Sequence, residues 1–571
     1  MSNEAVNNAE ATVPARVIAV VTCDFERSPI GTRSRLLDTL GGVPVIRRTL
    51  ERLLRVEGLT AIVLLPPDSQ RSRAEELRSL GSDTLPIHVL PLTPRPATLN
   101  ERIQTGRAWD LVAWRGGAGQ YTVFDEDYHP AAVDEACKTY QADHVLMVPA
   151  HAPFLDPAMA TQLVHHHQFK NHEMRLTYTP AAPGLCGIVL QADIVREMAE
   201  KTVLPGQLLA YDPNAPTFDT LIRDACMQVD PALSKIQNRF LVDTDRSFAM
   251  AAWLVQQPNF ESPAAVAVAA RDRLLRCLQG GTEGARRGTA APREIEIELT
   301  GERLTMPPGS VPPSVRQARQ TLDIARWINW FSKQHFPDDL LLTFAGDGDP
   351  LLYPGLVDVL RAARAASPRS IHLQTDLASD IHPLLACVHE NLADVISVNF
   401  YGHDAQTYTK VCGENLFPNV MANMQKLADA TRTNPRGTGL PLVIPRLLKV
   451  RDTIPQLEPF FDTWIKACGW AVIDYPTDRA GGVPFGAVVD MAPPKRRACR
   501  RLTDRLLLRA SGLAVACDQD MHDHLQLGTI DSQSLEELWL GQNACALRQQ
   551  HAEGMWDKID PCKSCREWHR A

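Results

Sequence analysis

Four cysteines near the C-terminus have the spacing of metal ligands: Cys499 and Cys517, then the pair Cys562 and Cys565 with two residues between them. A C-x2-C turn sets two thiolates on one side, and the upstream cysteines must return to meet it if one centre is to form. Four sulfurs suit tetrahedral zinc and also suit an iron–sulfur cluster, and residue type alone does not separate the two. Chelation would supply folding free energy to the segment 486–571, which is short and poor in core-forming runs. Most other cysteines stand singly in apolar surroundings (Cys137, Cys186, Cys226, Cys277, Cys387, Cys468) and read as small buried hydrophobes of a reducing compartment. Cys545, His522 and His524 lie close to the four and read as packing or surface residues. The run His165-His166-His167, with His172, invites a metal reading. Consecutive helical residues point in different directions, however, so solvent-facing histidines are expected.

These groups need elements to hold them. At 571 residues the chain is too long for one core and predicts two or three domains. Its 44% hydrophobic and 22% charged content is that of a globular protein, and a net charge of −8 argues against nucleic acid as a partner. No apolar run approaches the length of a membrane span, which argues against a membrane partner. The polar N-terminus lacks the apolar core of a secretory signal, so residues 1–14 are expected to be a disordered tail and the protein cytoplasmic.

Between residues 15 and 258, apolar runs at Arg16–Cys23, Thr60–Pro67, Ile87–Leu92 and His144–Ala150, with a late one at Phe240–Asp245, alternate with amphipathic helices. That succession predicts a doubly wound α/β domain. Residues 259–292 read as a helix begun by Ser262-Pro263, running to about Leu278, followed by the Gly- and Ala-rich linker Gly280–Pro292. The linker is expected to separate two halves that fold independently. From 293 to 485, strands at Arg293–Thr300, Asp339–Gly346, Ile371–Asp376, Val395–Phe400 and Leu442–Leu448 alternate with helices, a long one over Ser314–Lys333 among them. This predicts a full or partial β/α barrel, and 486–571 is the cysteine tail.

The barrel and tail resemble a radical S-adenosylmethionine (SAM) protein with a SPASM-type C-terminal domain. In AGDGDPLLYPGL, Gly346, Gly348, Asp349 and Pro350 match that family's acidic SAM motif, with aspartate in place of glutamate. Thr375-Asp376-Leu377 stands where the family has Thr-Asn-Gly, and Asp404, Thr407 and Tyr408 match a later turn. In the tail the likeness runs through Leu527–Ile530, Ser534–Trp539 and the closing cysteine pair. The resemblance implies a SAM-like pocket at Gly346, Gly348, Asp349 and Pro350. It also implies an auxiliary 4Fe–4S cluster on Cys499, Cys517, Cys562 and Cys565, with zinc as the alternative. The family further places C-x3-C-x2-C in the loop after the first barrel strand. Here that loop, Gly301–Ser314, contains neither cysteine nor histidine. Oxygen donors do not hold such a cluster, and without it there is no electron route to cleave SAM. Read by itself, GDGDPLLYP is also an ordinary strand-ending turn.

Region 15–258 resembles the cytidylyltransferase-like enzymes of the glycosyltransferase-A fold, through Leu40–Leu53, Ala142–Pro157 and Leu241–Ser247. The resemblance implies a nucleotide on the basic loop carrying Arg27, Arg33 and Arg35, with Arg35 where the family has lysine. It also implies Mg²⁺ between a mid-chain and a late aspartate. Asp243 is the late one and Asp156 remains nearby, but His151 replaces the mid-chain aspartate, and magnesium prefers oxygen. The whole arrangement resembles the spiro-SPASM group of bacterial proteins. It implies a degenerate member that binds a nucleotide or nucleotide-sugar and one iron–sulfur cluster without radical cleavage, in surface-glycan metabolism by fold-level analogy. The alternatives are an active cytidylyltransferase, and a radical SAM-type protein completed by a protein partner.

Overall fold

A computed structural model of the chain describes residues 15–170, 174–214, 223–262, 265–270, 291–434 and 437–570. The expected tail 1–14, His172, the helix start at Pro263, the helix beyond Ala270 and all of the expected linker except Ala291 and Pro292 lie outside them.

The first strand, β1 (Val17–Thr22), is buried along its whole length because it lies in mid-sheet with apolar packing on both faces. It runs parallel to β2 (Leu59–Leu65) on one side and β4 (His144–Met147) on the other, and β3 (Ile87–Val89) lies parallel beyond β2. The short β5 (Leu176–Thr177) and β6 (Ile188–Gln191) complete the order β3-β2-β1-β4-β6-β5, with β6 antiparallel to both neighbours. This is the doubly wound domain, with an antiparallel edge. No late strand forms at Phe240–Asp245. Phe240 and Val242 donate to Pro183 O and His151 O, both at 2.8 Å, and two acceptors on separate segments cannot build a ladder. The expectation of solvent-facing histidines fails at His167, which is buried: its Nδ1 lies 2.9 Å from Thr177 Oγ1 and its Nε2 3.1 Å from His144 Nδ1.

The second half is a partial β/α barrel. Six parallel strands follow in chain order: β7 (Glu294–Ile297), β8 (Leu341–Phe344), β9 (Ser370–Thr375), β10 (Val395–Phe400), β11 (Leu442–Leu448) and β12 (Val472–Asp474). The tail continues the same sheet. Its β13 (Arg505–Leu508) pairs in parallel with β7, and β14 (Leu513–Val515) and β15 (Gln526–Thr529) add antiparallel. The long helix expected over Ser314–Lys333 is broken into Pro313–Arg316 and Ile324–Phe331. Between the two pieces Arg319 turns inward to Glu298 and Asp347, and Asp323 caps the second piece by accepting from Arg326 N at 2.9 Å.

The halves meet along a seam with an apolar centre, where Trp109 and Ala118 pack with Leu440, Leu442, Ile444 and Trp470. Around it, Arg246 Nε donates to Asp339 Oδ2 at 2.7 Å, Asp245 N to Asp338 Oδ1 at 3.0 Å and Arg102 Nη1 to Gly439 O at 2.9 Å.

Candidate functional site

The C-terminal ends of parallel barrel strands carry a fold's chemistry, because loops there bring side chains from several strands to one mouth. At this mouth the loop Gly301–Ser314 supplies Arg303. Its guanidinium donates to both oxygens of Asp376 at 2.8 and 2.6 Å and to Tyr401 Oη at 2.8 Å. Asn399 Nδ2 (2.9 Å), Tyr401 Oη (2.6 Å) and Thr305 Oγ1 also donate to Asp376. Burial would raise the Asp376 carboxyl, but Arg303, Thr305 and Tyr401 overcome it and hold it below the usual carboxylate range.

The residues matched to a SAM motif are fully engaged within the protein. Asp349 accepts from Leu351 N, Thr375 Oγ1 and Asp376 N, each at 3.0 Å, and so caps the turn Pro350–Leu352 and ties it to the end of β9. Burial and the neighbouring Asp376 push Asp349 up to about 6. A Cβ on Gly348 would stand 1.9 Å from Thr300 O, so glycine is required there by backbone approach alone. Gly346, Gly348 and Asp349 line, with Arg303, a void of about 20 Å³, room for about one water. Asp347, between the two glycines, is gripped by Arg319 (2.7 Å), Arg479 (2.9 Å) and Arg509 (3.0 Å). Sequence reasoning singled out neither Asp347 nor these arginines. The signal for the Arg303–Asp376 pair was an aspartate ending β9 and an arginine in the cysteine-free loop, and no short-range signal marks the arginines on Asp347.

In the N-terminal domain Asp243 is fully buried, and both its oxygens accept from Arg239 Nε at 2.9 Å. Arg239 also donates to Glu126 Oε2 (2.7 Å), and Arg107 donates to Glu126 Oε1 (2.8 Å). His151 Nε2 lies 3.3 Å from Asp243, and its Nδ1 lies 3.9 Å from Asp127. Burial works against ionising Asp243, but Arg239 and His151 prevail and hold it below the carboxylate range. Burial itself pushes Asp127 up to about 6. A carboxylate already claimed by a guanidinium on both oxygens is a poor magnesium ligand, and the donor set does not fit that ion.

Asp156 stands apart from this network. It accepts from Ala158 N at 3.0 Å at the start of the helix Pro157–Lys170. Of the basic loop, Arg27 and Arg33 are exposed, with Arg33 paired to Asp38 at 2.6 Å. Arg35 is buried against Asp38, Asp245 and Asp338, the last 3.5 Å away across the seam.

In the tail, Cys499 precedes the short helix Arg501–Asp504, Cys517 follows β14, and Cys562 and Cys565 bracket a 3-10 turn. All four are half-buried. Burial and then the Cys517 thiol push Cys499 up to about 11, and burial with Cys517 and Cys499 pushes Cys562 and Cys565 up to about 12. Among the described residues no three such side chains converge into a closed ligand set. Backbone N–H groups already point at sulfur, from Gln519 to Cys517 Sγ at 3.4 Å and from Glu567 to Cys565 Sγ at 3.3 Å. Four thiols with N–H donors fit an iron–sulfur centre. Cys545 is different: it is buried in the core and donates to Leu540 O at 3.3 Å.

Comparison with known proteins agrees with this geometry. A family model described as SPASM, iron-sulfur cluster-binding domain, matches residues 499–566. An uncharacterized protein of Treponema pallidum (strain Nichols) is 22% identical over 243 residues, 41% of this chain and 66% of that protein. Among solved structures the chain is similar to a cytidylyltransferase of Leptospira borgpetersenii (12% identity, 45% of this chain and 94% of that one, TM-score 0.32). It is also similar to BtrN in complex with AdoMet and 2-DOIA (16%, 48% and 92%, TM-score 0.32). A third is Streptococcus suis SuiB bound to S-adenosylmethionine (10%, 50% and 73%, TM-score 0.35). Among the described residues no helix is long and apolar enough to cross a membrane. The cysteine tail thus matches, over residues 499–566, the SPASM iron–sulfur cluster-binding domain, and it is carried behind a doubly wound α/β domain and a partial β/α barrel.

Proposed function

We propose that the chain is a degenerate radical SAM/SPASM protein. It holds one 4Fe–4S cluster on Cys499, Cys517, Cys562 and Cys565, and does not cleave SAM. It keeps a nucleotide- or nucleotide-sugar-sized ligand in the N-terminal domain without turning it over. The observation that carries this reading is the Arg303–Asp376 pair, which fills the loop Gly301–Ser314 side of the mouth beside Gly346, Gly348 and Asp349 with a guanidinium and offers no soft ligand for a cluster. The four half-buried thiols and the N–H groups aimed at Cys517 and Cys565 support the cluster. Zinc would use the same sulfurs. The Arg239–Asp243 pair supports a lost magnesium site, and Arg27 and Arg33 remain exposed to meet a nucleotide phosphate.

The test is anaerobic purification with iron and zinc counting and a visible spectrum, followed by SAM and dithionite. A cluster gives broad visible absorption that dithionite bleaches, whereas zinc is colourless. No 5′-deoxyadenosine is expected, and its formation above trace level overturns the reading of the barrel. Pyrophosphate release from CTP and Mg²⁺, abolished by D243A, would favour an active nucleotidyltransferase instead.

A further inference from the structure

Adjoining the small void, with which it shares Arg303 and Gly346, the barrel mouth and the tail together line a cavity of about 340 Å³, within the range of small-molecule sites. Its wall carries seven arginines against four carboxylates, Glu296, Asp347, Asp474 and Asp518. The barrel supplies Arg303, Arg446 and Arg479, and the tail supplies the other four, Arg501 and Arg570 among them. All seven are ion-paired. Arg446 pairs with Asp474, Arg501 with Asp518, Arg505 with Glu296 and both Arg479 and Arg509 with Asp347, while Asp376 stands behind Arg303 and Glu567 lies 2.7 Å from Arg570.

Each guanidinium has five N–H donors, and these pairings leave some over. Nε of Arg446, Nε of Arg501 and Nη2 of Arg570 are buried with no hydrogen-bond partner. Arg501 is only 6% exposed. A buried donor without an acceptor is destabilising, and three such donors around one cavity call for a ligand rich in anionic acceptor oxygens. SAM carries a sulfonium and an ammonium against one carboxylate, so it has the wrong sign. A phosphate ester has the right sign and the oxygen geometry that guanidinium groups bind in pairs.

We propose that this cavity binds a diphosphate-bearing small molecule, in a site built jointly by the barrel and the SPASM domain. The site rests on the reading of a barrel without its own cluster, but that reading is tested by 5′-deoxyadenosine and this one by anion binding, so the two fail separately.

Titration calorimetry of the full-length, anaerobically purified protein with inorganic pyrophosphate, CDP and SAM makes the test. Saturable pyrophosphate binding is expected, weakened about tenfold by R446Q or by R570Q, the loss of one charged contact. D474N, which releases Arg446 from its partner, should tighten binding, a gain that damaged folding cannot produce. R361Q, an exposed guanidinium paired with Asp358 and Glu390, should change nothing. Tighter binding of CDP than of pyrophosphate supports a nucleoside diphosphate as the source, and equal binding supports the bare diphosphate group. Absence of saturable pyrophosphate binding, tighter binding of SAM, or binding that R446Q, R570Q and D474N all leave unchanged overturns the proposal.

Discussion

Arg239 and Arg303 do the same thing in the two halves: each pairs with a buried aspartate. The surroundings differ. Arg239 has its donors on Asp243, Glu126 and Leu111 O, and Glu126 is matched by Arg107, so this guanidinium is fully matched, although Asp127 Oδ2 and His151 Nε2 beside it have no hydrogen-bond partner. Arg303 closes only a water-sized void and leaves beside it a cavity walled by further guanidinium groups. Buried guanidinium groups therefore serve in two ways. One whose donors all find acceptors within the protein is scaffold, and a cluster with donors left over is a place for a ligand.

The largest effect that would sharpen this contrast lies in the tail, which builds one side of the barrel cavity. Cys562→Ser or Cys565→Ser should remove the iron and destabilise the barrel side by more than about 4 kcal/mol, the range of lost metal centres. Cys545→Ser should leave iron content unchanged, since that thiol packs in the core. Iron analysis with thermal melting checks both, and four serine variants that keep native metal and stability would break the SPASM ligand assignment.

Next in size is the direct comparison. Arg239→Met strands Asp243 and Glu126 in the interior and should lower stability by about 3–5 kcal/mol, the cost of breaking a buried pair. Arg303→Met should cost about half as much, because the Asp376 it leaves keeps Asn399, Thr305 and Tyr401 and borders a cavity that admits water. Urea melts of the two variants giving the reverse order would break the distinction between a closed and an open network.

A smaller effect is pH-dependent. Asp349 is raised to about 6 in the folded chain, against about 4 when unfolded. The folded state then binds the extra proton between those values, so its stabilising contribution is complete below about pH 4 and is lost as pH rises through about 6. The wild type should lose about 1–3 kcal/mol over that window relative to Asp349→Asn. Parallel melts at pH 4.5 and 7 read the difference, and equal pH slopes would remove Asp349 as a buried titrating group. Smallest of all, Arg33→Ala removes a 60% exposed side chain paired to Asp38. It should change stability by less than about 0.5 kcal/mol.

The parallel strands through β11 were legible because each is a short apolar run, whereas β12, β13 and the tail helix Leu535–Leu540 were not among the expected elements, although that helix has a capping pair. Ser534 Oγ accepts from Glu537 N at 3.2 Å while Glu537 accepts from Ser534 N at 2.8 Å. The cysteine-free loop was legible as an absence. What filled it was not, since Arg303 meets a partner 73 residues away and single residues do not announce distant pairs. Phe240–Asp245 has a strand's composition, but ladders depend on a neighbour that composition does not name. Ser314–Lys333 has a helix's periodicity, yet Arg319 is drawn off the helix by two buried carboxylates. The four cysteines were legible as a set, and the seam between the halves was hidden because its groups are ordinary surface residues until they meet.

The pairing of β13 with β7 has one more consequence. Arg293 N donates to Asp504 O at 2.7 Å and Glu298 N to Leu508 O at 2.8 Å, so the first barrel strand has a hydrogen-bonded neighbour on each side only while the tail is docked. Undocking turns β7 into an open edge, an apolar strand with free N–H and C=O groups that any other extended chain can join. On the proposed cluster, iron loss would then also be a solubility event, and Cys499, Cys517, Cys562 and Cys565 would guard the sheet against self-association.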